Sequence, residues 1–247
     1  MGVLQAVASA SWNASRGILL LAASPAQPLI DQASPTHDFL FRQAVAILER
    51  DGYQRVAALA RQGLDRLIAG SAWADEGWKN VTHMFDPDLG RGLRGWPSAV
   101  ETCENYVDLA ALHFWQKDMD EALFYLGAAC HIVQDLSEPH HAAVRLFDGH
   151  RPFEHWARSQ CPRFAAWDSG AYGQGRRAAD WVVCNARVAK PWVSQANNRS
   201  GFSAWEETAS VLLPLAQRTT AGFIQWFCDA VLGSLDTDDW NATLQAV

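Results

Sequence analysis

The chain has 247 residues, of which 49% are hydrophobic, and it carries a net charge of −7. This length and apolar content allow one substantial core and exclude a protein that is disordered overall. The acidic balance argues against a protein that grips nucleic acid by charge alone, so an anionic ligand would need a local cation such as a bound metal ion.

The first 30 residues are interpreted as a possible export signal or a loose segment. A small-residue ASAS run precedes Trp12, and Arg16 precedes the short apolar run GILLLAAS. No run of about 18 apolar residues occurs, so no membrane-spanning helix is predicted. We expect export from the cytoplasm, with a cytoplasmic location as the open alternative.

Helical periodicity begins at His37, in HDFLFRQAVAILER, with Thr36 as a candidate cap. The next segment, QRVAALARQGLDRLIAG, is predicted as one helix that stops at Gly70, a favourable C-terminal residue. Residues 71–99 contain Gly, Pro, Asp and Trp without a period. They are predicted to form a long functional loop or a broken helix.

Further helices are predicted at 100–116 and from Met119 to about Asp135, after which Pro139 ends or kinks the chain. The segment 161–202 is rich in Gly, Arg and Trp and is predicted to be irregular. Two last helices are predicted in AWEETASVLLPLAQ and TAGFIQWFCDAVLG. No alternating, strand-like segment competes with these helices, so the predicted fold class is all-α.

Five cysteines occur, and none forms a CxxC pair. Cys103, Cys130 and Cys228 lie in patterns typical of buried helices. Cys161 and Cys184 lie in or near loop-like stretches, where they could form a disulfide if the protein is exported. Five free thiols are the alternative.

Five of the eight histidines fall within CHIVQDLSEPHHAAVRLFDGHRPFEHW. His131 and Asp135 are four residues apart, as are His150 and Glu154, so each pair shares one face of a helix. His141 lies between the two pairs. One such pair alone is typical of a surface, but two pairs and a histidine within apolar helices would be unfavourable to bury without partners. A metal ion satisfies them together, and this ligand chemistry suits zinc.

The remaining histidines receive other interpretations. His140 and His155 neighbour the proposed ligands but point elsewhere on a helix, so they are interpreted as surface or packing residues. His113, in LAALHFW, is interpreted as a core or helix-face residue.

The pattern H-x3-D-x5-H-x8-H-x3-E resembles the bacterial zinc-dependent phospholipases C, which include the lecithinases and the catalytic domain of clostridial alpha-toxin. THDFLFRQAVAILERD is similar to the family's first helix, which starts at a metal-binding histidine, here His37. GSAWAD is similar to a loop that carries a metal-binding aspartate, here Asp75. HMFDPD is similar to a stretch whose histidine, here His83, is a ligand. EALFYLGAACHIVQD and TAGFIQWF are also close to helices of the family.

This resemblance implies an all-helical catalytic domain at 31–235, followed by a tail at 236–247, with up to three zinc ions in one cleft. The implied ligands of the first ion are Asp75, His83, His131 and Asp135. Those of the second ion are His141, His150 and Glu154, and those of the third are His37 and the bridging Asp135. In the family the third ion is also held by an N-terminal Trp. Here Trp12 lies 25 residues before His37, farther than in the family, which puts the third site in doubt.

The resemblance further implies hydrolysis of the glycerol–phosphate ester of phospholipids, with peripheral contact to a membrane and no nucleic-acid partner. Asp75 is the candidate for accepting the proton of the attacking water or for holding that water on its ion. The headgroup is left open, because Glu76 and Asn80 stand where choline-selective members have aromatic residues. Trp73 and Trp78 either substitute for those aromatics or pack under the loop.

Two alternatives remain at this point. A nuclease or nucleotidase of the related trinuclear-zinc class would have the same fold, although Glu154 and the eight-residue connection before His150 favour the lipase. The displaced Trp12 motivates the second alternative, a catalytically silent zinc-binding domain.

Overall fold

The structure is a computed structural model that describes residues 35–233. These residues form nine α-helices and no β-strand, which confirms the predicted all-α class. The helices are α1 Pro35–Arg50, α2 Gln54–Gln62, α3 Leu64–Asp75, α4 Ala99–Trp115, α5 Met119–Asp135, α6 Pro139–Ala142, α7 His150–Gln160, α8 Ala178–Ala189 and α9 Phe202–Leu232. The predicted export segment 1–30, Trp12 and the tail 236–247 lie outside the described residues.

Helix α5 lies at the centre of the fold. It begins after Asp118, whose side chain accepts a hydrogen bond from the backbone N–H of Glu121, and every residue from Leu126 to Asp135 is buried. Such a helix is buried on all faces because neighbours surround it. It packs against α3 and α4 most extensively, and α8 and α9 also contact it. Its C-terminal end, at Asp135, therefore lies deep in the molecule.

Two glycines bring the backbones of α3 and α5 into direct contact. A Cβ atom added to Gly70 would lie 1.8 Å from the carbonyl oxygen of Phe124, and one added to Gly127 would lie 2.1 Å from that of Leu67. The prediction that Gly70 stops a helix is therefore wrong. The helix continues to Asp75, and Gly70 is required by close packing, not by a helix end.

Four other predictions about helices are also corrected. The segment 54–70 is divided at Gly63 into α2 and α3. The segment 161–202, predicted to be irregular, contains α8. The two predicted final helices form one helix, α9, that continues through Pro214. Helix α1 begins at Pro35, so Thr36 lies inside it and is not its cap.

All five cysteines are free, so the alternative without a disulfide is confirmed. Cys161 donates its thiol to the carbonyl oxygen of Ala157, at 3.6 Å, and Cys184 donates to that of Gln174, at 3.7 Å. No helix among residues 35–233 combines the length and hydropathy that a membrane span requires.

Candidate metal centre

A cavity of about 950 Å³ opens where α1, α3, α5, α6, α7 and α9 meet. Six of the eight predicted ligands line it, namely His37, Asp75, Asp135, His141, His150 and Glu154. The other wall is apolar and is formed mainly by Leu40 of α1 and by Ala209, Leu212, Leu213 and Ala216 of α9. The cavity therefore joins an ionisable wall to an apolar wall.

Asp135 is the residue on which the predicted ligands converge. Its Oδ2 lies 2.9 Å from Nδ1 of His83, 3.1 Å from Nε2 of His131 and 3.4 Å from Nδ1 of His141. Its Oδ1 lies 3.6 Å from Nε2 of His37. Four imidazoles from four separate segments thus surround one carboxylate at the end of α5.

Helix α3 brings Asp75 to the same place. The Oδ1 atom of Asp75 lies 3.7 Å from Nε2 of His131, whose other ring nitrogen lies 3.2 Å from the hydroxyl of Ser71. Ser71 and Asp75 are one turn apart on α3, and His131 and Asp135 are one turn apart on α5. The close contact of these helices therefore aligns the two pairs.

His83 has an unsatisfied nitrogen. The residue is fully buried after the short 3₁₀ turn Lys79–Thr82, and its Nε2 has no hydrogen-bond partner. A buried polar atom without a partner is unfavourable by about 1–3 kcal/mol. A metal ion would supply the missing partner, because neutral imidazole nitrogen is a preferred zinc ligand. The residues present therefore fit a metal.

His141, His150 and Glu154 form a second group. Nε2 of His150 lies 3.1 Å from Oε1 of Glu154, and Nε2 of His141 lies 3.7 Å from the same oxygen. Glu138, which was not predicted, joins them, with its Oε2 3.7 Å from Nε2 of His150. The sequence feature that could have identified Glu138 is its position three residues before His141 and directly before Pro139.

Within the part of the chain that the structure describes, three groups bring their candidate ligand atoms within 4.8 Å of one another. They are Glu138, His141, His150 and Glu154; then His37, Asp75 and His131; and lastly His83, His131 and Asp135. The four residues predicted to bind the first ion are thus divided between the last two groups. All eight predicted residues are brought together, and the ligands of each ion remain a prediction.

The electrostatics favour anionic carboxylates beside these imidazoles. Burial lowers the pKa of His37 and of His83. Burial also acts against the charge of His141, but Asp135 and Glu154 outweigh it and raise its pKa to about 10. Burial opposes the ionisation of Asp135, yet the nearby charges of His131 and His141 hold its pKa well below the usual range. Asp135 is therefore charged at neutral pH and ready to take a cation.

The remaining histidines are not ligands in this arrangement. His140 is fully buried, and its Nδ1 lies 2.7 Å from Oε1 of Glu138, so it is a packing residue. His155 is exposed at the cavity. The ring of His113 stacks on Tyr125 at 5.4 Å, which confirms its position on a helix face.

The two tryptophans proposed near the headgroup differ in position. Trp73 packs against Tyr106 of α4 and Phe124 of α5, with ring centroids 5.7 and 5.4 Å away, and so it packs between helices. Trp78 is 41% exposed and lines the cavity, as does Asn80. Of the two, Trp78 faces the cavity.

Comparisons with known proteins match this chain to phospholipases C. The family model described as "Zinc dependent phospholipase C" matches residues 36–197, which is more than half of the chain. A phospholipase C of Bacillus cereus is 28% identical over 227 residues, covering 78% of this chain and 80% of the relative. A phospholipase C of Clostridium perfringens is 25% identical over 231 residues, covering 78% of this chain and 58% of the relative.

Solved structures of two alpha-toxins share the fold. The alpha-toxin of C. perfringens from an avian strain aligns with a TM-score of 0.69 and 23% identity, over 83% of this chain and 66% of that protein. The alpha-toxin of Clostridium absonum aligns with a TM-score of 0.71 and 22% identity, over 84% and 67%. This chain therefore spans about two thirds of either toxin.

Proposed function

This chain belongs to the zinc-dependent phospholipase C family, and from that membership we propose that it hydrolyses the glycerol–phosphate ester of phospholipids. The products are diacylglycerol and a phosphorylated headgroup. The observation that carries this proposal is the convergence of the eight predicted ligands, Asp135 among them, at one cleft. The nuclease and the silent zinc domain have no comparable support, because the relatives compared above are phospholipases C.

The three groups at the cleft would hold the zinc ions, and the carboxylate of Asp135 lies within 3.6 Å of histidine nitrogens from the other two groups. When bound, zinc supplies positive charge for the phosphate oxygens and acidifies water. The chain's own residues position these charges: α5 fixes His131 and Asp135, and α7 fixes His150 and Glu154. The acidic protein thereby gains local positive charge for an anionic diester.

Asp75 is proposed to accept the proton of the attacking water. Its side chain is 40% exposed, whereas that of Asp135 is 10% exposed, so Asp75 is the more accessible of the two carboxylates to water. The water oxygen forms the new bond to phosphorus, its proton passes to Asp75, and the bond to the glycerol oxygen breaks. The departing oxygen takes a proton from solvent and Asp75 returns its proton to solvent, which completes diacylglycerol and restores the carboxylate.

The two walls of the cleft match the two halves of such a substrate. The ionisable wall suits the phosphate, and the apolar wall formed by α1 and α9 suits the acylated glycerol. Long-chain phospholipids exist in membranes or aggregates, so we propose peripheral contact with a lipid surface. An extracytoplasmic location is part of the same proposal.

The decisive experiment compares Asp75→Asn with Asp65→Asn. Asp65 is an exposed acid on the same helix and does not line the cavity. We expect zinc-dependent phospholipid hydrolysis by the native enzyme and by Asp65→Asn. For Asp75→Asn we expect a fall of about 10²–10⁴-fold, because a positioned proton acceptor contributes about that much.

Release of acid-soluble nucleotides from single-stranded DNA is measured alongside. Hydrolysis of DNA with none of phospholipid would support the nuclease instead, and zinc binding without hydrolysis of either would support the silent domain. Full activity in Asp75→Asn would remove Asp75 from the proposed mechanism.

A further inference from the structure

We infer that the loop at 143–149, between the proposed ligands His141 and His150, contacts the phospholipid surface through Leu146 and Phe147. This inference rests on the proposed function, since it names the surface from which the substrate enters the cleft.

The loop carries its apolar side chains at the mouth of the cleft. Leu146 is 43% exposed and Phe147 is 82% exposed, and both line the cavity that holds the candidate metal centre. Trp78, exposed on the same cavity, adds an indole ring, which suits a lipid–water interface. Scattered exposed apolar residues are ordinary, but three around one opening indicate a binding surface.

The backbone holds this loop in an unusual conformation. Val144 and Asp148 have positive φ angles of 52° and 69°, which are unfavourable for a β-branched residue in particular. Gly149 has φ 105°, and a Cβ there would lie 2.6 Å from the backbone N of Asn198. Such strain persists only where surrounding contacts determine it, and here the loop is closely packed at its end.

His140 fixes both ends of the loop. Its carbonyl oxygen accepts the backbone N–H of Arg145 at 2.9 Å, and its Nε2 lies 3.3 Å from the carbonyl oxygen of Asp148. The side chains of Arg145 and Asp148 also pair, at 3.6 Å. The loop is thus closed at its base, while Leu146 and Phe147 at its tip have no comparable cover.

The charge beside the tip suits a lipid headgroup. Arg151, in the first turn of α7, is exposed, lines the cavity and forms no ion pair with any residue between 35 and 233. A guanidinium at this place can pair with a lipid phosphate. Three side chains are too few to bury the roughly 1,000 Å² that a specific protein interface needs, so a lipid surface is the better occupant.

The first test measures binding to vesicles of phosphatidylcholine and phosphatidylglycerol by sedimentation of the zinc-loaded protein. The variant is Leu146→Ser with Phe147→Ser. The matched control is Trp167→Ser, which removes an 84% exposed side chain that does not line the cavity. We expect the partition coefficient of the double variant to fall roughly tenfold or more, since two large apolar side chains are lost from the interface. The control is expected to stay within about twofold of the native value.

The second test separates surface contact from chemistry. We expect the double variant to hydrolyse monomeric dihexanoyl phosphatidylcholine within about twofold of the native rate and to lose hydrolysis of vesicles in proportion to its binding. Equal losses on both substrates, unchanged vesicle binding, or native protein that does not bind vesicles would each overturn the inference.

The single variant Phe147→Ser keeps the test decisive if the double variant fails to fold, because it removes a largely exposed side chain. Failure of the proposed function is distinguishable from failure of this inference. A native protein that hydrolyses neither substrate would contradict the function, while its partition into vesicles would still decide the role of the loop.

Discussion

At the scale of single residues, Asp135 determines how the site is arranged. One carboxylate lies within 3.6 Å of a nitrogen of His37, His83, His131 and His141. Burial lowers the pKa of His37 and of His83, so the anionic carboxylate lies among rings that do not all carry a charge. Metal ions resolve this imbalance, because they bind the imidazoles in their neutral form and the carboxylate in its anionic form. The cluster is therefore understandable as a set of ligands and not as a set of ion pairs.

Glu138 has a different role from the other carboxylates. Its Oε2 accepts the backbone N–H groups of His140 and His141, at 2.7 and 2.9 Å, and its Oε1 lies 2.7 Å from Nδ1 of His140. Both oxygens are already engaged within the protein. Glu138 thus caps α6 and positions His141, and direct metal binding is the less favoured role.

Replacing Glu138 by Ala should therefore affect folding and metal affinity separately. We expect a loss of about 0.5–2 kcal/mol of unfolding free energy, typical of a lost helix cap. We expect zinc affinity to fall by about 10–100-fold, typical of a lost orienting partner. Chelator competition and chemical denaturation measure the two effects, and Glu138→Gln, which keeps one acceptor oxygen, should recover part of both. Complete loss of one zinc ion per chain, as expected for Glu154→Ala, would instead make Glu138 a direct ligand.

At the scale of helices, the contact between α3 and α5 aligns Asp75 with His131. The backbones touch at Gly70 and at Gly127, so neither position has room for a side chain. Asp75 lies five residues after Gly70, at the end of the same helix. A displacement of α3 would thus move the proposed proton acceptor away from the metal centre.

Gly70→Ala should consequently reduce both stability and activity. The added methyl group would overlap the carbonyl of Phe124, and overpacking of this kind is unfavourable by about 1–3 kcal/mol or more. We expect a lower midpoint in urea denaturation and a reduced rate of hydrolysis at saturating zinc. Gly201→Ala is the control, because no atom lies within 4 Å of its added Cβ and its φ is −81°. An unchanged midpoint for Gly70→Ala would show that α3 and α5 can move apart with little loss of stability.

Sequence patterns predicted the helices whose ends are set by nearby residues. The limits of α5 agree with the prediction because Asp118 caps its start and an apolar segment follows. The division at Gly63 was missed because the pattern of apolar residues continues through it. A Cβ there would lie 2.4 Å from Cδ1 of Leu123, a tertiary contact that no local pattern contains.

The candidate site shows the same division between local and tertiary information. The pairs on α5 and α7 follow from their spacing, because residues four apart share a helix face. His37 and His83 were identified as ligands only through the resemblance to a family. No local sequence pattern around them shows that they lie beside α5 in the folded chain. Glu138 was missed because Pro139 made its surroundings resemble the end of a helix.

At the scale of the whole molecule, the candidate metal centre lies where six helices meet, so we expect occupancy of the site and stability of the fold to be coupled. The candidate ligands come from α1, α3, α5, α6, α7 and the loop before α4. Zinc bound there ties together segments that are distant in sequence. A ligand that binds only the folded state stabilises it by an amount that grows with the free ligand concentration.

Removal of zinc should therefore lower the melting temperature. At a free zinc concentration of about 100 times Kd, a single site contributes about 2.7 kcal/mol, which corresponds to a shift of roughly 5–10 °C for a chain of this size. Calorimetry of protein dialysed against a chelator, before and after the return of zinc, measures the shift. Magnesium serves as the control ion, because it prefers oxygen ligands and should restore little of the loss at an imidazole-rich site. A melting temperature that is unchanged after removal of zinc, with the loss of metal verified by mass spectrometry, would contradict the coupling of this centre to the fold.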